Sequence, residues 1–260
     1  MNVEKRSISQ FFVLVFALII PFWVYGAVAG GELLPGLPVA GLAAFCPMIA
    51  ALLLVCRTDR GAGVIILLKR SFDFKRIEQK GWYAPILLIM PAVTVLSFWV
   101  LRLRGVPMPA PQFTVLQALA LCAAFFIAAL GEELGWSGYV IGPMQARWGA
   151  LKASLLLGMI QVVYHSVALL QARRSLEWIA GWSLYTVAGR VLMVWLYNNT
   201  GRSVFGVALY HMLINVTWQL FPISGSYFDP GVTGLILAVV AAIVVVIWGP
   251  GLQGRSRTPL

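Results

Sequence analysis

Residues 114–139 read TVLQALALCAAFFIAALGEELGWSGY. From Val115 to Leu130 nothing is charged, and the run is long enough, at about 1.5 Å per residue, to enter a bilayer as a helix. Two adjacent glutamates, Glu132 and Glu133, then arrive inside the same apolar stretch. An ionisable group in hydrocarbon costs about 2.5–3.5 kcal/mol on insertion scales, so a pair of them needs a compensating role. Neighbours on a helix point about 100° apart, so one carboxylate can face a reaction centre while the other supports it. A structural buried ion pair is the plainer alternative.

The rest of the chain repeats the apolar pattern. It has 260 residues, 60% hydrophobic and 11% charged, with mean hydropathy +0.88. A water-soluble domain of this size could not bury so much apolar surface. The expected fold is all-α: one polytopic membrane helix bundle over residues 1–260, with about eight transmembrane helices at 11–29, 38–56, 83–103, 114–139, 151–170, 178–197, 204–221 and 232–248. The fourth is too long for a simple span, so it should tilt or project past the membrane.

Charge gives the orientation. The formal net charge is +10, and the basic residues sit between spans, which argues for loops beside anionic lipid and against nucleic acid as a partner. Lys5 and Arg6 precede span one. Arg57, Arg60, Lys69, Arg70, Lys75, Arg76 and Lys80 fill the loop after span two. Arg147, Lys152, Arg202, Arg255 and Arg257 fall on the same side of an eight-span chain. Only Arg102, Arg104, Arg173 and Arg174 fall opposite. The expected location is the cell (inner) membrane, multi-pass, with both termini cytoplasmic and the first helix retained. The segment GVIILLKRSFDFKR at 63–76 is too short to span and reads as an interfacial helix on the inner leaflet. Trp82 and Trp178 near span ends read as interface anchors. Cys46, Cys56 and Cys122 form neither a disulfide framework nor a zinc-type cluster.

The only two histidines, His165 and His211, lie in later apolar runs, VVYHS and YHMLIN. His165 could be a ligand-facing group or a satisfied packing residue. His211 and Asn215, at i and i+4, share one helical face. Such a pair can donate hydrogen bonds to a developing oxyanion or clamp two helices together.

Taken in order, GEELGWSGYVIGPMQARWG, VVYHS and YHMLIN resemble the CAAX-type prenyl endopeptidase and bacteriocin-processing family of intramembrane proteases, also called the abortive-infection family. The resemblance covers about 116–221. That family carries Glu-Glu-x-x-x-Arg, Phe-x-x-x-His and His-x-x-x-Asn motifs on successive helices. The resemblance implies that Glu132 activates water, His165 helps hold that water, His211 and Asn215 stabilise the oxyanion, and Glu133 supports Glu132. It implies a peptide or protein substrate, lipidated in some members, with membrane lipids as surroundings. Two positions depart: Ser137 stands where the motif has arginine, and Gln161 where it has phenylalanine. Arg190, deep in span six, is a candidate replacement partner for Glu133.

The expected chemistry is direct water attack on a peptide lowered from the cytoplasmic side, with no cofactor. In the metal variant, zinc would sit on Glu132, His165 and His211. An ion- or proton-coupled transporter and a catalytically inactive scaffold of the same fold are the rival readings.

Overall fold

The computed structural model describes residues 7–254 except 30, 31, 35 and 36. Lys5, Arg6, Arg255 and Arg257 lie outside the described residues. The architecture is a helical bundle, as the apolar periodicity requires, with one two-stranded antiparallel ribbon, β1 (Glu32–Leu34) and β2 (Leu37–Pro38). The helices are α1 (Ile8–Val28), α2 (Cys46–Lys69), α3 (Tyr83–Leu103), α4 (Val115–Gly135), α5 (Ile141–Trp148), α6 (Ala150–Gln171), α7 (Leu176–Asn199), α8 (Val204–Leu220) and α9 (Pro230–Trp248). Among the described residues, seven helices are long and apolar enough to cross a membrane; α8, with 17 residues, is apolar but shorter.

Side-chain caps start several helices. Thr114 closes a capping box with Gln117 at α4, and Ser175, Ser203 and Asp229 accept from the first turns of α7, α8 and α9. The long fourth segment continues past the expected span. A π-helical turn, Trp136–Val140, joins α4 to α5, and the helical run covers Val115–Trp148. Helix α2 is likewise two helices joined at Arg60, which has φ 55. Its second piece, residues 61–69, begins the segment expected to lie on the interface.

The two ends of the bundle differ in charge. At one end Arg70 donates to the carbonyls of Gly138 and Arg202, and Arg76 to that of Gly201. Asp73 accepts from Ser203 Oγ and the backbone N–H groups of Val204 and Phe205, capping α8. These contacts gather the 57–80 loop, Arg147, Lys152 and Arg202 at one face, called here the basic face. Leu151 N–H donating to the Pro250 carbonyl brings the end of α9 there too. Arg102, Arg104, Arg173 and Arg174 lie at the opposite face.

Close approach positions the glutamates. In the sequence GEELG, Gly131 and Gly135 stand at i and i+4 on one side of α4. A Cβ on Gly135 would lie 2.4 Å from the Pro47 carbonyl oxygen, and one on Gly131 would lie 2.7 Å from the Phe45 ring. This small-residue seam seats α4 against the start of α2. Glu132 and Glu133, between the two glycines, therefore turn away from α2 and into the bundle.

Candidate active site

Glu133 is fully buried, and four donors converge on it. Arg190 of α7 gives Nη1 to Oε2 at 3.0 Å and Nη2 to Oε1 at 2.8 Å. Ser137 Oγ, one turn on in the π-helical stretch, donates to Oε2. His211 Nδ1 of α8 lies 3.0 Å from Oε1. A bidentate guanidinium holds this carboxylate ionised. An ionised carboxylate only accepts, so His211 must carry its proton on Nδ1.

Arg190 is itself 1% exposed, and its Nε donates to Gln161 Oε1 at 2.7 Å. All five guanidinium hydrogens of a buried arginine seek acceptors, and a phenylalanine at 161 would supply none. The two departures from the family motifs are therefore one arrangement. The arginine stands on α7 instead of α4, Ser137 fills the vacated position with a smaller donor, and Gln161 satisfies the relocated cation. The pairing of Arg190 with Glu133 expected from sequence is found, whereas Gln161, read as a packing position, is a hydrogen-bonding member of the cluster.

Glu132 has a different environment. Trp136 Nε1 donates to its Oε2 at 3.0 Å. Trp136 is wholly buried, packed edge-on to Phe11 and Tyr164 with ring centroids 5.6 Å away in each case. His165 Nε2 lies 3.9 Å from the same carboxylate oxygen. That is too long for a direct hydrogen bond and suits one water touching both groups. The His165 ring rests against Trp182 at 5.2 Å. Trp136 was legible only as the residue four after Glu132, the same i, i+4 relation that joins Ser137 to Glu133.

Glu132, His165, Arg190, His211 and Asn215 all border one cavity of about 480 Å³. Asn215 makes no side-chain hydrogen bond among the described residues, which leaves its amide for a ligand. The three-helix meeting of carboxylates, imidazoles and amide expected from sequence is thus present, with α7 as a fourth contributor.

The direction of the cavity differs from expectation. It runs from Met193 and Arg190 toward Trp23, Leu169, Ala172, Arg174 and Trp218, at the face opposite the basic loop. Toward the basic face the site is floored by Trp136, Tyr139, Val140 and Ile141, each at most 2% exposed. Arg70 fastens that floor through the Gly138 carbonyl at 3.0 Å. The expected descent of a peptide from the basic face meets this packed layer, while Glu132 and Glu133 stand in the last turn of α4, at its end toward that face. Alternation of spans alone could not reveal which end was filled by side chains.

The zinc variant does not fit the donors as arranged. Among the described residues no group of three His, Cys, Asp or Glu side chains could hold a metal. His211 is turned to Glu133, and the Trp136 indole N–H occupies Glu132 Oε2.

Comparison with known proteins gives the same direction as the motifs. The family model described as type II CAAX prenyl endopeptidase Rce1-like matches residues 114–217, which include every residue of this cluster. Over 234 residues, 82% of this chain and 80% of the relative, the chain is 26% identical to a CAAX prenyl protease 2 of Methanococcus maripaludis. The resemblance read from the sequence therefore holds.

Proposed function

We propose that this chain, similar to CAAX prenyl endopeptidases in its motifs and over most of its length, is a membrane-embedded endopeptidase that uses glutamate-activated water. Family and relative support a peptidase of that type with a peptide or protein substrate. The residue roles rest on the geometry. The observation that carries them is the 3.9 Å gap between Glu132 Oε2 and His165 Nε2, facing a cavity whose other wall holds His211 and Asn215.

In this reading a water lies between Glu132 and His165. Glu132 takes one of its protons as the oxygen attacks the peptide carbonyl carbon, worth typically 10²–10⁴-fold in rate. The carbonyl oxygen gains the charge and is met by Asn215 Nδ2–H and by His211. The C–N bond then breaks, and Glu132 returns its proton to the leaving nitrogen. Glu133 cannot act as base, because four donors hold its two oxygens. It fixes His211 and, through Arg190 and Gln161, ties α4, α6, α7 and α8 together. Ser137 gave the inactive-scaffold reading its basis in the sequence; the Arg190 pair on Glu133 supports the active reading instead.

The test compares membrane proteomes and peptide cleavage by wild type and Glu132→Ala. New peptide ends that vanish in the variant, with unchanged protein level and unfolding temperature, support the reading. Identical ends in both would end it.

A further inference from the structure

Three side-chain hydroxyls border the cavity, those of Tyr164, Tyr185 and Thr186. Tyr164 donates to the Ala43 carbonyl and Tyr185 to that of Ile214. The Thr186 hydroxyl makes no hydrogen bond among the described residues. Inside an apolar helix a serine or threonine commonly returns its hydroxyl to a carbonyl of the preceding turn. Ser166 on α6, Ser183 on α7 and Thr217 on α8 all do so. Thr186 lies four residues after Trp182 and four before Arg190. It therefore shares with them the face of α7 that borders the cavity.

The cavity walls change character turn by turn. Gln161, Arg190 and His211 are spent on one another and on Glu133. One turn away along each helix, about 6 Å of rise, stand His165 on α6, Thr186 on α7 and Asn215 on α8. A turn further the walls are apolar, with Leu169, Trp182 and Trp218. A peptide drawn between those walls loses the water on its main chain, and each buried N–H or C=O then needs a partner. A helical segment pairs those groups internally, whereas an unwound one does not. In the proposed mechanism His165 and Glu132 hold the attacking water and Asn215 meets the oxyanion. Thr186 is the hydroxyl at that level with no task.

We propose that the Thr186 hydroxyl hydrogen-bonds the substrate main chain beside the scissile peptide, holding an unwound, apolar segment along α7 with its reacting carbonyl toward Asn215 and His211. This deepens the proteolytic reading and rests on it. A hydroxyl both donates and accepts, so it serves a backbone N–H or C=O whatever the side chain. With apolar walls around it, Thr186 selects for extended main chain and apolar side chains and not for one particular residue.

Peptide affinity tests this contact separately from cleavage. In the full-length Glu132→Ala protein, binding of two fluorescein-labelled apolar peptides of unrelated sequence is measured with Thr186 intact, with Thr186→Val and with Thr186→Ser. Valine keeps the shape and removes the hydroxyl; serine keeps the hydroxyl. Thr186→Val is expected to weaken both peptides by about 3–10-fold, the size of one neutral hydrogen bond, and Thr186→Ser to bind them like the parent. With Glu132 restored, Thr186→Val should raise KM and leave kcat little changed. Equal affinity in Thr186→Val and its parent overturns the proposal, and so does a serine variant as weak as the valine one or a parent that binds neither peptide. A loss confined to one peptide also overturns it, because the contact would then lie on a side chain. So does a fall in kcat at unchanged KM, which would put the hydroxyl on the reacting atoms. If wild type and Glu132→Ala are equally inactive, the proteolytic reading is what fails, and the affinities still decide whether Thr186 holds a peptide.

Discussion

Arg190 on α7 grips Glu133 on α4 through two hydrogen bonds of 2.8 and 3.0 Å, with both side chains at most 1% exposed. Breaking a buried pair by removing one partner costs about 3–5 kcal/mol, because the other charge is stranded. Arg190→Leu is expected to lower the unfolding temperature sharply in detergent and to abolish cleavage. Adding Ser137→Arg to that variant returns a guanidinium to the position four after Glu133, into space freed by the lost arginine. The double variant should regain both stability and part of the activity. No recovery in either would show that the cation on α7 does more than pair Glu133.

Gln161 is the acceptor that keeps the Arg190 fork aligned. Gln161→Met keeps the volume and removes the acceptor, leaving a buried N–H unpaired at a cost of about 1–3 kcal/mol. The expected outcome is a fall in kcat with KM little changed, and retention of activity in Gln161→Glu. In the Arg190→Leu background, Gln161→Met should lower the unfolding temperature no further, since contacting residues are not additive. Additive losses would put Gln161 outside the cluster.

How much of this was legible in the sequence depends on range. The bundle, the spans and the chemistry-bearing residues follow from apolar runs and from polar groups that hydrocarbon would not tolerate singly. Ser137 beside Glu133 and Trp136 beside Glu132 are i, i+4 relations within one helix, visible in the quoted stretch. Gln161 on Arg190 joins α6 to α7, and nothing in either helix alone announces it. The cavity's direction was illegible for a stronger reason: alternating spans fix which ends share a face, but the packing of Trp136, Tyr139 and Ile141 decides which end is closed.

The GEELG seam predicts a stability effect away from the chemistry. Gly135→Ala would place a methyl 2.4 Å from the Pro47 carbonyl oxygen, where backbone rather than a flexible side chain must move. Overpacking of this kind costs typically about 1–3 kcal/mol. Gly81→Ala, with nothing within 4 Å, is the control and should be neutral. Thermal unfolding of both in detergent checks the difference, and equal unfolding temperatures would remove the seam as the device that seats α4.

Because no group of three His, Cys, Asp or Glu side chains among the described residues could hold a metal, cleavage by purified protein is expected to survive metal chelators. Activity lost on chelation and regained with zinc would put a metal on the free Nε2 of His211, with Glu133 behind the ring, and would replace the direct mechanism.

His211 can meet an oxyanion only by donating from Nε2. Its Nδ1–H is committed to Glu133 Oε1, so the neutral ring offers only a lone pair at Nε2. To donate to an oxyanion the ring must be imidazolium, with Glu133, Arg190, Glu132 and His165 as the charged or titratable groups around it. His211→Gln tests the assignment, because an amide donates in its neutral form. Removing a well-placed oxyanion donor typically costs about 10²–10³-fold, and a poorly placed substitute should fall short of that loss. His211→Gln should therefore lower kcat by less than His211→Ala, with KM little changed in both. Equal losses in the two variants would remove His211 as a donor to the oxyanion.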